Sequence, residues 1–371
     1  MITRATGLPQ SLTTLLLIGF VGSLVGLAGR VDAAGPITRC EPKDNARPIC
    51  IFINPEDMVP LPGDQAILIG EYGQSGESRA GGLVVFKLAT EERQVVFSGG
   101  LEPATSESGW GDKACTTAPT IAFNSHGIDL VRREDGRLQL LVVQHGGREA
   151  IEFFEVVGQG TEWKVTWKGC VLSPADASLN EVVGLPNGDF YTTKMGALEG
   201  ALDFEEGMPT RPTGHAFAWN AKSGFRKIEG TDGIMPNGIT ASPDGKIIYM
   251  NASGENSIRK IEVATGKELG RASVPTPDNV TWAPDGRLLV ASLDGFSPAD
   301  FEACEAMKIG ACGIPFKIIA VDPESMRSLG PVYESDGPPM GAGTVGLQVG
   351  NELFIGSFKG DRILRVSLPT E

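Results

Sequence analysis

Five segments of this 371-residue chain open on side chains able to hold a metal or move a proton: Glu56-Asp57, His126, Asn180-Glu181, Asn237 and Asp278-Asn279. Carboxylate and amide oxygens are hard donors, and Ca²⁺ takes about six to eight of them in flexible geometry. Zinc or copper would draw on more His or Cys. Taken singly each residue is ordinary, and Asn-Gly is usually only a turn. Oxygen donors recurring at the same point of a repeat are harder to dismiss. The chain has three histidines. His126 opens one segment, and His145 follows the apolar run Leu138–Val143, which turns back from Asp135-Gly136. The two can therefore lie at one end of one hairpin, where an imidazole pair suits a base and its proton shuttle. His215, between Gly214 and Ala216 in a Pro/Gly loop, reads as a surface residue.

The elements that must position these side chains repeat along the sequence. Pro236-Asn-Gly-Ile-Thr-Ala-Ser-Pro-Asp-Gly245 precedes Lys-Ile-Ile-Tyr-Met, and Pro277-Asp-Asn-Val-Thr-Trp-Ala-Pro-Asp-Gly286 precedes Arg-Leu-Leu-Val-Ala. Weaker copies start at Pro55, Ser125 and Leu179, and a last one at Gly343-Thr-Val-Gly-Leu347. Asp-Gly and Asn-Gly accept the positive φ of tight hairpins, and the short apolar runs fit short strands. Six copies at irregular spacing predict an all-β fold, a six-bladed β-propeller over residues 36–371. A double-sheet sandwich gives no reason for near-copies of one hairpin. Pro298–Ile309 is the one helical stretch expected, ahead of Cys312. In a propeller the innermost strand of each blade lines the central channel, so equivalent positions converge on the axis.

Composition removes several classes. A formal charge of −14 leaves no basic face for nucleic acid, so no nucleic-acid partner is expected. With 49 glycines and 25 prolines, turns are dense and long helices disfavoured. Arg4, the uncharged run Leu12–Ala28 and Val31-Asp32-Ala33-Ala34 read as a signal peptide over residues 1–34, an uncleaved anchor being the alternative. The protein is then secreted or periplasmic, and it meets a membrane only if that segment is retained. Six cysteines in an oxidising compartment imply disulfides, with 15 pairings open. The short loops favour Cys40–Cys50 and Cys304–Cys312, which leaves Cys115–Cys170. Asn251-Ala-Ser and Asn279-Val-Thr match glycosylation sequons, the second discounted as a candidate ligand. There is no Gly-x-Ser-x-Gly elbow, His-Glu-x-x-His, Walker loop or dinucleotide fingerprint.

The order Glu56-Asp57, Ser125-His126-Gly127-Ile128, Val142-Val143-Gln144-His145, Leu179-Asn180-Glu181, Asn237-Gly238-Ile239, Asp278-Asn279 resembles the paraoxonase/arylesterase family. That family sits within a wider group of six-bladed propellers with gluconolactonases and strictosidine-synthase-like proteins. The resemblance runs from about Pro55 to Ser367. It implies hydrolysis of small lactones and aryl esters with two Ca²⁺ ions in the tunnel. The catalytic ion would be held by Glu56, Asn180, Asn237, Asp278 and Asn279. The structural ion would be held by Asp57, the Ile128 carbonyl and Glu181, where the family more often has Asp. His126 and His145 match the family's His dyad. Three departures stand out. No cysteine lies near the C-terminus, so closure must rest on strand pairing. Leu293 stands where a histidine is common, and Thr193-Lys194-Met195 replaces an Asn-Asp-His run. A sugar lactonase of the gluconolactonase type, or a non-catalytic calcium-stabilised binding propeller, is the alternative.

Overall fold

Beyond residue 35, the short runs of Val, Ile, Leu and Phe broken by Gly-containing turns bury themselves as paired strands, because none of these runs is long enough for a stable helix. The computed structural model describes residues 36–73, 81–100, 106–198, 208–293, 295 and 297–369. The expected signal segment, residues 1–34, lies outside the described residues. Among the described residues 24 strands form six four-stranded antiparallel sheets.

The first strand, β1 (Ala46–Ile49), belongs to the last sheet. Blade 1 is β2 (Pro55–Pro60), β3 (Ala66–Glu71), β4 (Gly82–Lys87) and β5 (Glu92–Phe97). Blade 2 is β6 (Ser125–Arg132), β7 (Leu138–Gln144), β8 (Ala150–Gln159) and β9 (Glu162–Leu172). Blade 3 is β10 (Ser178–Gly184), β11 (Phe190–Gly196), β12 (His215–Asn220) and β13 (Gly224–Lys227). Blade 4 is β14 (Pro236–Ala241), β15 (Ile247–Ala252), β16 (Ser257–Glu262) and β17 (Glu268–Ser273). Blade 5 is β18 (Pro277–Trp282), β19 (Leu288–Ser292), β20 (Phe316–Asp322) and β21 (Arg327–Ser335). Blade 6 is β22 (Gly343–Val349), β23 (Glu352–Ser357), β24 (Ile363–Ser367) and, outermost, β1.

The first strand of each full blade touches the next in a closed ring, β2–β6–β10–β14–β18–β22–β2. This is the six-bladed propeller predicted from the repeats, and all six predicted copies are the inner strands. The hydrophobic core is divided: each apolar cluster lies between two consecutive blades. Leu68 and Val85 of blade 1 meet Leu140, Val142 and Phe154 of blade 2, and Leu289 and Ile318 of blade 5 meet Leu353 and Leu364 of blade 6. Burial of each such side chain is worth about 1.5–3 kcal/mol, so the blades are held chiefly by their neighbours.

Closure rests on strand pairing, as the missing C-terminal cysteine requires. Ala46 pairs with Val366 and Ile49 with Ile363. The Cys40–Cys50 disulfide brackets β1. The fully buried Arg362 guanidinium donates to the carbonyls of Ile37 at 2.9 Å, Arg39 at 2.5 Å and Pro339 at 3.1 Å, tying down the segment before β1. Cys115–Cys170 and Cys304–Cys312 complete the predicted pairing. The helix α1 spans Pro298–Glu305, shorter than expected. Ser297 and Asp300 form a capping box at its start, and its end is tied to Cys312. Among the described residues no helix is long and apolar enough to cross a membrane.

Candidate functional site

In every inner strand the ladder slips by one residue at the same place: after Pro55, Ser125, Leu179, Pro236, Pro277 and Gly343. Each slip is a β-bulge, which inserts an extra residue and re-aims side chains. The residues in the slips are Glu56, His126-Gly127, Asn180-Glu181, Asn237-Gly238, Asp278-Asn279 and Thr344. The polar repeat starts and the bulges are therefore the same positions. A bulge leaves carbonyls without ladder partners, and here side chains replace them. Thr344 donates its hydroxyl to the Glu56 carbonyl at 2.7 Å, Thr193 to that of Asn237 at 2.6 Å and Thr192 to that of Glu181 at 2.6 Å. The Asn251 amide donates to the Asp278 carbonyl.

Glu56, Asn180, Asn237, Asp278 and Asn279 come from four different blades. Asn279 donates its amide to Glu56 Oε1 at 2.9 Å, which ties blade 5 to blade 1 across the axis. Three buried oxygens in this set have no hydrogen-bond partner: Glu56 Oε2, Asn180 Oδ1 and Asn237 Oδ1. Each such group costs about 1–3 kcal/mol in an otherwise satisfied interior. Burial, then Asp57 and Asp278, push the Glu56 carboxyl well above the usual range. Burial likewise raises Asp278 to about 7, opposed by a hydrogen bond from Asn237. Carboxylates crowded out of water with oxygens unpartnered are the donor chemistry of a hard divalent cation. Among the described residues no cluster of three or more His, Cys, Asp and Glu meets at metal spacing. The set holds two carboxylates and three amides, which suits Ca²⁺ better than a transition metal.

A second pair of acids lies at a different depth. Asp57 accepts the amides of Met58 and Ile128, each at 2.8 Å, and Glu181 accepts that of Val182 at 2.8 Å. Burial raises Asp57 to about 7, partly offset by these amides and by a hydrogen bond with Glu181, which burial raises well above its ordinary range. A β-carbon on Gly127 would fall 2.4 Å from Glu181 Oε1 and 2.6 Å from the Asn180 carbonyl, so only glycine fits there. Asp57, Ile128 and Glu181 line a cavity of about 420 Å³ formed by all six inner strands; Glu56, Asn180, Asn237 and Asp278 do not. The two donor sets are thus stacked along the axis. Asp129, which burial raises to about 6, lines the same cavity and accepts the Gly184 amide at 2.7 Å.

His126 and His145 are brought together as predicted, with His126 Nδ1 3.0 Å from His145 Nε2. His126 Nε2 lies 3.8 Å from Glu56 Oε1, so the pair abuts the first donor set. Burial, then His145, lowers the His126 pKa well below its ordinary value. On its far side His145 Nδ1 lies 2.7 Å from Glu149 Oε2. The Tyr72 ring sits against both imidazoles, with centroids 5.0 Å from His126 and 6.2 Å from His145. His215, read from sequence as a surface loop residue, instead opens β12, pairs with Lys194 and packs half-buried on Phe217, on a different blade from His126 and His145.

Sequence reasoning missed Tyr72 and Glu149, which lie outside the repeat, and the bulge-binding Thr193, Thr344 and Asn251. It offered Asn251 as a sequon, but both sequon asparagines are buried, so neither is an accessible glycan acceptor in the folded chain. The departures from the resemblance also have places. Leu293 is buried in the apolar cluster between blades 5 and 6. The Met195 sulfur lies 4.0 Å from the Asn180 amide, beside the first donor set, and Lys194 reaches Asp176 at 3.9 Å.

Residues 111–296 match the SMP-30/Gluconolactonase/LRE-like region. The chain therefore belongs to that family, which is broader than the paraoxonase/arylesterase family its motifs resemble; the match does not show the latter. No curated protein sequence matches the chain. Among solved structures, a luciferin-regenerating enzyme superposes with a TM-score of 0.51 at 14% identity, covering 86% of this chain and 92% of that one. A gluconolactonase from Xanthomonas campestris superposes with a TM-score of 0.50 at 15% identity, covering 91% and 96%. At such identity these likenesses speak for the fold.

Proposed function

We propose that this chain, which belongs to the SMP-30/gluconolactonase/LRE-like family, hydrolyses small lactones where the first donor set meets the histidine pair. The observation that carries this reading is the trio of unpartnered buried oxygens from three blades, one of them on the Glu56 carboxyl that His126 faces. Glu56, Asn180, Asn237, Asp278 and Asn279 would hold a catalytic Ca²⁺, and Asp57, the Ile128 carbonyl and Glu181 a structural one. The catalytic ion, when bound, supplies Lewis-acid polarisation of the ester carbonyl and charge stabilisation of the oxyanion. The chain's own residues supply the proton chemistry. His126 Nε2 takes a proton from the attacking water, and His145 shares it through the 3.0 Å contact. Tyr72 packs its ring against both imidazoles and so limits how far either can turn.

Two substrate preferences compete. Family membership favours a sugar lactone. The His pair and the doubled polar residues Glu56-Asp57 and Asn180-Glu181 favour the paraoxonase-like, two-ion arrangement acting on lipophilic lactones and aryl esters. The Met195 thioether against Asn180 also suits an apolar substrate. The test is hydrolysis by the purified chain of phenyl acetate, dihydrocoumarin, aliphatic γ- and δ-lactones and gluconolactone. Each substrate is run with calcium, with EGTA, and after calcium is restored. Calcium-dependent turnover of the lipophilic substrates supports the two-ion reading, and turnover confined to gluconolactone supports the sugar lactonase. No turnover, with calcium still raising the melting temperature, leaves a binding propeller.

A further inference from the structure

The turn between β7 and β8 is built more rigidly than a surface loop requires. A β-carbon on Gly146 would fall 1.3 Å from the Ala122 carbonyl, so the turn is pressed against the segment leading into β6. Gln144 Oε1 accepts the amides of Asn124 at 2.7 Å and Gly146 at 2.9 Å, and His145 donates its amide to the Asn124 carbonyl at 3.1 Å. Arg148 is held by Glu152 at 2.7 Å and by the Thr117 carbonyl at 2.9 Å. The Glu149 carbonyl accepts from Ser173 at 2.9 Å. The turn thus fixes His145 at one end and Glu149 at the other, with Glu149 Oε2 2.7 Å from His145 Nδ1.

Hydrogen-bond logic then runs in one direction. An ionised carboxylate only accepts, so His145 Nδ1 carries a proton. A neutral His145 therefore has its lone pair on Nε2, and across the 3.0 Å contact His126 Nδ1 must be the donor. His126 is left with its lone pair on Nε2, the nitrogen facing Glu56. We propose that Glu149 is a positioning residue that sets the tautomers of both histidines and so makes His126 Nε2 the basic nitrogen. The catalytic part of this inference rests on the lactonase reading.

The proton ledger closes. A water O–H proton bonds to His126 Nε2 as the water oxygen forms its bond to the carbonyl carbon. The His126 Nδ1 proton passes to His145 Nε2, and His145 becomes an imidazolium whose Nδ1–H faces the Glu149 carboxylate. The same proton count returns along the chain to the leaving alkoxide when the ring C–O bond breaks. Without Glu149 nothing distinguishes the two nitrogens of His145, and an Nε2–H tautomer would turn the His126 lone pair away from the site.

Three histidines make the test tractable by ring-nitrogen NMR on histidine-labelled protein. His126→Gln and His145→Gln assign the signals. The wild-type chain is expected to show Nδ1–H and bare Nε2 for both rings. In Glu149→Ala, a bare Nδ1 should appear on His145, and kcat for the best lactone should fall about tenfold, a fraction of the ~10²–10⁴ of general-base catalysis. KM should stay within about twofold and calcium affinity unchanged, because Glu149 touches no proposed ligand. If Glu149→Ala fails to fold, Glu149→Gln keeps the volume and removes the charge, and a smaller fall in kcat is expected. Unchanged ring-nitrogen shifts and unchanged kcat in a folded variant would overturn the inference. A wild-type chain that hydrolyses no lactone, yet whose histidine tautomers move in Glu149→Ala, would overturn the lactonase reading and leave the positioning role intact.

Discussion

Glu56 and Glu152 are both buried glutamates on blade strands, and their surroundings are opposite. Glu152 is met by the Arg148 guanidinium through two contacts of 2.7 Å and by the Trp167 indole at 2.7 Å. Glu56 has an amide on one oxygen and nothing on the other. Burial raises both carboxyls, but the neighbours of Glu152 pull it back, whereas Asp57 and Asp278 push Glu56 further up. A fold able to supply a guanidinium to one acid supplies none to the other. The difference separates an acid satisfied by its own chain from one whose second oxygen the chain leaves unpartnered, which is the contrast the proposed cation site rests on.

The comparison is broken most severely at the axis. Glu56→Gln should lower lactone turnover by at least ~100-fold, the scale of losing electrostatic stabilisation of an oxyanion, and weaken calcium binding measured by calorimetry. The same change should raise the melting temperature of the EGTA-treated chain, because it removes an uncompensated buried acid. Glu152→Gln should do the reverse: stability in urea lower by about 3–5 kcal/mol from stranding Arg148. Calcium affinity should stay unchanged, and turnover per folded molecule should fall far less than in Glu56→Gln, because Arg148 touches the site only through the turn that carries His145 and Glu149. If both variants destabilise the metal-free chain alike, the contrast between the two acids is lost.

A pH series sharpens the same contrast. Asp57 and Asp278 are raised to about 7 in the fold, against an unfolded value near 3.9. Between these values the folded chain binds more protons than the unfolded one. Metal-free stability should therefore fall as pH rises from about 4 through about 7. Calcium should flatten that slope, and a metal-free melting temperature rising across this window would contradict it. The smallest effect is expected at Thr344, whose hydroxyl holds the Glu56 carbonyl. Thr344→Val should cost about 1 kcal/mol in urea unfolding, with a modest loss of calcium affinity.

Much of this arrangement could be read from the chain. Each inner strand carries a polar start, an apolar alternation and usually a Gly-containing turn, so blade number followed from the repeats. The His126–His145 contact followed from one hairpin with a histidine near each end. What could not be read depends on contacts between segments that share no pattern. Glu149 reaches His145 because Gly146 presses the turn onto Ala122, and nothing local marks that. Asn251 looks like a glycan acceptor because a tripeptide says nothing about burial. The bulges were half visible: doubled polar residues such as Asn180-Glu181 interrupt the alternation of a strand, but the slipped ladder that accommodates them belongs to the partner strand as well.

The six bulges also work as a positional alphabet. Read at the slips, blades 1 to 6 spell Glu, His, Asn, Asn, Asp, Thr. The ladders and the apolar clusters between blades are made by other residues. A single substitution at one slip would therefore change one polar side chain at the axis while the ladders and clusters around it stay the same. On the lactonase reading, a change of chemistry in this chain would begin at these six positions, and the ring that carries them need not change.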